Sequence, residues 1–206
     1  MDDVGYLGNA NLKKIGIELS YTEEQVKEIL KCSEDPIYFI KNYVKIVNVD
    51  HGLVPFEMWP FQEDMVKTFH ENRFSIAKMP RQVGKTTTTA GYMLWCVLFQ
   101  ENYSIAILAN KGSLARDILG RIQYAYEYLP LWLQQGIKTW NKGNIELENG
   151  SKINAYATSA AGVVWWNAFA DVRSVRHHLA VVATAGRARG AAHQGCSGSS
   201  GHACLG

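Results

Sequence analysis

No stretch of this 206-residue chain approaches the ~20 consecutive apolar residues needed to cross a bilayer, so no membrane span is expected. The start, Met1-Asp2-Asp3, is acidic and lacks the basic-then-apolar order of a secretory leader. A soluble, cytoplasmic protein is the expectation. Cysteine is sparse: Cys32, Cys96, Cys196 and Cys204 form no Cys-x-x-Cys pair, which argues for reduced thiols rather than a disulfide framework. Charge of either sign is not in excess. With 21 Lys and Arg against 19 Asp and Glu, the formal net charge is +2, too small for the broad basic field of many nucleic-acid binders.

Two residue types vanish part way along. Residues 161–206 contain no Lys and no Glu, only four Arg and one Asp, yet hold ten Ala, seven Gly and four of the six His. Residues 1–160 carry 17 Lys and Arg against 18 Asp and Glu. So abrupt a change divides the chain into residues 1–72, an N-terminal arm with helices; 73–160, an α/β core; and 161–206, a tail of different character. Loss of Lys and Glu with gain of Ala, Gly, Arg, His, Ser and Cys is what translation in a shifted frame produces. Residues from about 162 onward are therefore expected to be a frame-shifted or disordered tail, not native sequence of the core. His193, Cys196, His202 and Cys204 are soft ligands, but their spacing fits no zinc finger and no core is there to orient them.

Local signals order the rest. Residues 1–20 read as an extended arm. Thr22-Glu23-Glu24-Gln25 has capping-box spacing, followed by an apolar face of Val26, Ile29 and Leu30. Asp35-Pro36 restarts a helix that should reach about residue 47, and Pro60 opens another. Residues 74–79, Phe-Ser-Ile-Ala-Lys-Met, read as a strand, 85–99 as an apolar helix, and 104–109 as a second buried strand. Ser113 caps a helix to about Tyr128, which Pro130 ends. Residues 145–148 and 152–156 flank Asn149-Gly150, a strong hairpin dipeptide. Strand, loop, helix, strand, helix implies an α/β fold: a P-loop NTPase-type parallel sheet with flanking helices, an N-terminal helical arm and an appended β-hairpin.

The chemistry-bearing segment is Pro80-Arg81-Gln82-Val83-Gly84-Lys85-Thr86-Thr87. A turn between a strand and a helix gathers backbone N–H groups at the positive end of the helix dipole, where a phosphate binds. Gly84 lets the backbone approach it closely. Lys85 is suited to the β- and γ-phosphates, and the Thr86 hydroxyl to Mg2+. The usual pattern, G-x-x-x-x-G-K-[ST], lacks its first glycine here, because Met79 stands in that place. ATP with Mg2+ is the expected ligand.

Pro-Arg-Gln-x-Gly-Lys-Thr-Thr resembles the large terminase subunit of tailed bacteriophages, the ATPase that drives DNA into a prohead. Trp59-Pro60-Phe61-Gln62 looks like that family's adenine-binding Q motif. Residues 107–113 (Ile-Leu-Ala-Asn-Lys-Gly-Ser) and 140–151 (Trp-Asn-Lys-Gly-Asn-Ile-Glu-Leu-Glu-Asn-Gly-Ser) look like its myovirus-type members. The similarity runs from about residue 7 to residue 160. It implies adenine recognition by Gln62, whose carboxamide both donates and accepts, and a charge-stabilising or sensing role for Arg81 beside the γ-phosphate. It implies a catalytic part for Lys85 and Arg81, with Pro80, Gln82, Val83, Gly84, Thr86 and Thr87 completing the nucleotide cradle. Double-stranded DNA, a portal protein, a small terminase subunit and a homo-oligomeric ring in the host cytoplasm are the partners and setting it implies.

The resemblance breaks after the hairpin. The family presents Val-Arg-Gly and then an apolar strand ending Asp-Glu, where the Asp orients Mg2+ and the Glu activates water. Here Val164 is followed by Trp165-Trp166, and Asp171 is the only acid beyond residue 160. The family's nuclease domain is missing as well. A nucleotide-binding module unable to hydrolyse is thus a second reading, and a helicase-like P-loop ATPase a third, disfavoured by residues 107–113 and 140–151.

Overall fold

The computed structural model describes residues 5–48 and 50–158, together with the backbone of one strand at 178–183. Its centre is a five-stranded mixed sheet. In chain order the strands are β1 (Gly5–Tyr6), β2 (Asn9–Lys13), β3 (Lys45–Asn48), β4 (Gly52–Pro55), β5 (Ser104–Ala109), β6 (Ile137–Trp140), β7 (Asn144–Leu147), β8 (Lys152–Ala157) and β9 (His178–Ala183). The large sheet has the order β6-β7-β8-β5-β9. β5 runs parallel to both β8 and β9, whereas β6, β7 and β8 form an antiparallel meander. The sheet is mixed rather than wholly parallel because the Asn149-Gly150 turn, with Gly150 at φ +78°, reverses the chain directly into β8. β6, not anticipated from the sequence, doubles the hairpin into a meander.

Five helices pack around it: α1 (Glu23–Glu34), α2 (Pro36–Tyr43), α3 (Pro60–Glu71), α4 (Lys85–Phe99) and α5 (Gly112–Glu127). Every residue of α4 from Ala90 to Leu98 is buried, the signature of a helix enclosed on all sides. α2, α3 and α5 all pack against it, and α5 also lies on β5 and β8. Gly91 permits the approach of α2, since a Cβ there would already touch Ile40 Cγ1 at 3.4 Å. The Trp95 indole donates to the Cys32 carbonyl at 2.7 Å, tying α4 to α1. Burial pushes the Cys96 thiol up to about 12, so it serves as a small apolar core residue and not as a nucleophile.

The helix starts follow their caps. Thr22 Oγ1 accepts from the Gln25 N–H at 3.3 Å, and Gln25 Oε1 accepts from the Thr22 N–H at 3.1 Å, closing the capping box. Asp35 Oδ1 accepts from the Ile37 N–H at 2.7 Å with Pro36 at the first position. Along α1, however, Val26 and Leu30 are exposed and Cys32 is the buried residue, so the apolar face differs from the expected one. α2 stops at Tyr43, short of residue 47, because Lys45–Asn48 pairs with Gly52–Pro55 in a hairpin turning through Gly52 at φ +68°. α5 begins at Gly112 with Lys111 as its cap residue, so Ser113 lies inside the first turn.

Between α1 and α2, the Glu28 carboxylate accepts from the Tyr38 hydroxyl at 2.6 Å and from Tyr43 at 3.0 Å, with Lys31 Nζ at 3.6 Å. The Tyr38 hydroxyl above all holds the carboxyl below its ordinary value of 4.5. A depressed carboxyl contributes stability above its unfolded value and loses it as pH falls through the folded one. Urea midpoints at pH 7 and pH 3.5 should therefore lie closer together in Glu28→Gln than in the unsubstituted chain.

One expected element is absent. Residues 74–79 form no strand: they pair with no other segment among the described residues, and Phe74 and Ile76 are 82% and 98% exposed. An apolar run becomes a strand only where a neighbour takes its backbone N–H and C=O groups, and no described strand lies alongside. Conversely, residues 178–183, within the compositionally distinct tail, pair in register with β5 from Ser104–His178 to Ala109–Ala183. The rest of the tail, including Trp165, Trp166, Asp171 and the His193–Cys204 cluster, lies outside the described residues.

Candidate nucleotide-binding site

The loop of residues 80–84 ends on Gly84, which sits in the left-handed region (φ +77°, ψ +9°) as the cap residue of α4. Gln82, at φ +63°, is a non-glycine residue in the same region, so the loop makes two tight reversals within three residues. α-Helix geometry leaves the first N–H groups of α4, at Lys85 to Thr87, without an intrahelical acceptor. Thr88 is the first residue to close the ladder, its N–H donating to the Gly84 carbonyl at 3.0 Å. The result is a helix start whose free donors face the loop, the arrangement that binds anions.

Side chains fix this end. Gln62, on α3 and only 3% exposed, uses both ends of its carboxamide. Its Oε1 accepts from the Trp59 N–H at 2.9 Å, capping α3, and its Nε2 donates to the Val83 carbonyl at 3.1 Å. A Cβ at Gly84 would stand 2.5 Å from that Nε2, so any larger residue there would have to displace the carboxamide as well as adopt the left-handed φ. Lys85 Nζ donates to the Met79 carbonyl at 3.4 Å and to the Pro80 carbonyl, which arches the side chain over the loop.

The four successive threonines divide their tasks. Thr88 Oγ1 donates to the Gly84 carbonyl at 3.1 Å and Thr89 Oγ1 to the Lys85 carbonyl at 2.8 Å, both turned inward along the helix. Thr87 Oγ1 accepts from Arg121 Nη1 of α5 at 3.4 Å. Thr86 is exposed at the helix start. Pro80, Arg81 and Gln82 are exposed, and Val83, Gly84 and Lys85 are half-buried. All the residues singled out in the sequence therefore cluster at one end of α4. Arg121 joins them unannounced, because only the packing of α5 on α4 brings it there across 34 residues. Among the described residues no group of three His, Cys, Asp or Glu could hold a metal ion.

Trp140 and Asn141 close the meander. Asn141 Oδ1 accepts from the Gly143 and Asn144 N–H groups, both at 3.0 Å, and the Trp140 ring packs on Tyr126 with centroids 5.2 Å apart.

These features define an α/β protein with a mixed sheet, in which a Gly-Lys-Thr loop opens a helix buried all round from Ala90 to Leu98. Residues 76–170 match the family model described as terminase large subunit, T4-like-virus type, N-terminal. The crystal structure of the HK97 bacteriophage large terminase has a similar fold, with a TM-score of 0.51 at 20% sequence identity. That likeness covers 62% of this chain and 28% of the HK97 chain, so the present sequence spans under a third of that relative's length. Over residues 76–170 the chain is thus similar to the N-terminal part of large terminase subunits, and its fold is similar to that of one such subunit. The match ends at residue 170, beyond the compositional break near 162.

Proposed function

We propose that the loop of residues 80–87 binds the triphosphate of Mg-ATP, and that in the intact subunit ATP hydrolysis drives double-stranded DNA into a prohead. The observation that carries this reading is the α4 start: Gly84 in the left-handed region, held against Gln62, beside Lys85 and Thr86. The residues fit the ligand. The α4 donors and the Lys85 ammonium would hold the β- and γ-phosphates, the Thr86 hydroxyl would take Mg2+, and Arg81 would sit at the γ end. Lys85 would exchange the carbonyls of Met79 and Pro80 for phosphate oxygens, a gain because the acceptor becomes charged. Gln62 would face adenine at the cost of one of its two present hydrogen bonds, so its first role is to set the loop. Portal protein, small terminase subunit and a ring of copies in the host cytoplasm are partners and a setting supported by the family resemblance alone.

A second reading, binding without turnover, is favoured by one observation. The apolar strand that pairs beside β5, His178–Ala183, is followed by Thr184-Ala185 and not by two acids. Nothing there would orient an attacking water. Calorimetric titration with Mg-ATP and a phosphate-release assay separate the cases. Binding with release supports the motor reading, binding without release supports the second, and absence of binding overturns both.

A further inference from the structure

Arg121 lies outside every motif in the sequence, yet its guanidinium reaches from α5 to the first turn of α4. Nη1 donates to Thr87 Oγ1 at 3.4 Å, beyond the ~2.9 Å typical of such bonds. The side chain is exposed and makes no ion pair with a carboxylate among the described residues, although Asp117 and Glu127 lie on the same helix. An exposed cation resting loosely on a neutral hydroxyl is held by little, and a charged acceptor would bind it better. Its position is specific. Lys85 and Thr86 are the residues suited to the β- and γ-phosphates, and Thr87 follows about 100° further around the helix.

We infer that Arg121 is a phosphate-binding residue acting from α5 on the α-phosphate side of the loop, with Thr87 steering its guanidinium into place. This rests on the nucleotide reading above. It divides the two arginines of the site: Arg81 senses the γ end, which only a triphosphate has, whereas Arg121 touches a part common to di- and triphosphates. Arg121 also makes α5 a direct participant in nucleotide binding, so that occupancy of the loop is felt by the helix packed on β5 and β8.

The test is calorimetric titration of the full chain with Mg-ATP and Mg-ADP for the unsubstituted protein, Arg121→Gln, Arg121→Lys and Thr87→Val. Arg121→Gln should weaken both nucleotides by a similar factor of about ten, leaving their affinity ratio unchanged. Arg121→Lys should restore part of the loss by its charge, and Thr87→Val should show a smaller loss of the same pattern. A fall in thermal midpoint with both affinities intact would make Arg121 a mere tie between helices and overturn the inference. Selective loss of Mg-ATP would place it at the γ end and overturn it equally. If the unsubstituted chain binds neither nucleotide, the loop reading fails and takes this inference with it.

Discussion

Lys85→Ala is expected to weaken Mg-ATP binding by roughly 100-fold, the loss of about 3 kcal/mol when a charged donor to a phosphate is removed. The fold should barely notice. Lys85 is half-buried, and its contacts in the chain are to the carbonyls of Met79 and Pro80, which water can satisfy on an exposed loop. Thermal midpoints of the two proteins should agree within a few degrees, while calorimetric titration shows the affinity collapse. The same substitution with unchanged affinity would show that the nucleotide, if bound at all, sits elsewhere.

Gly84→Ala should cost both stability and binding, and the size of the cost depends on Gln62. The left-handed backbone at φ +77° costs a non-glycine residue about 1–2 kcal/mol by itself. The new methyl would also meet Gln62 Nε2 at 2.5 Å, forcing the carboxamide off the Val83 carbonyl. A buried amide deprived of its partner costs about 1–3 kcal/mol more. In a Gln62→Ala background the second penalty is already gone, so Gly84→Ala should be milder there. A double-mutant cycle by urea denaturation reads this directly: an interaction energy of about 1 kcal/mol or more is expected. Strict additivity would mean that the carboxamide does not hold the loop.

The parts of the fold that were legible in the sequence are those fixed locally. α4 and β5 lie where an apolar run and its flanking turns place them, at Lys85–Phe99 and Ser104–Ala109. The Thr22 and Asp35 caps and the Asn149-Gly150 turn are likewise local, each decided within four residues. What escaped depends on distant neighbours. Residues 74–79 have a strand's composition but no adjoining strand among those described, and β3 with β4 was hidden because Val44 to Val47 also continues the helical period of α2. In the site, the loop announced itself through Gly-Lys-Thr-Thr. The tie from Gln62 to Val83 and the reach of Arg121 to Thr87 did not, since they join α3 to the loop and α5 to α4 across 21 and 34 residues.

Gln134 joins two distant parts of the described chain. This buried carboxamide accepts from the Lys13 N–H at 3.0 Å and donates to the Asn11 carbonyl at 2.9 Å, spanning 121 and 123 residues, while also donating to the Tyr126 and Leu129 carbonyls. Lys14 bridges to Ile137 in the same place. The N-terminal arm thus has its anchor more than a hundred residues further along the chain. Closing so long a loop carries the largest entropic cost of any contact described here. The arm's place in the fold is therefore set by the surface that α5 and β6 assemble and not by its own local sequence. It is a strap fastened across the chain by one buried carboxamide.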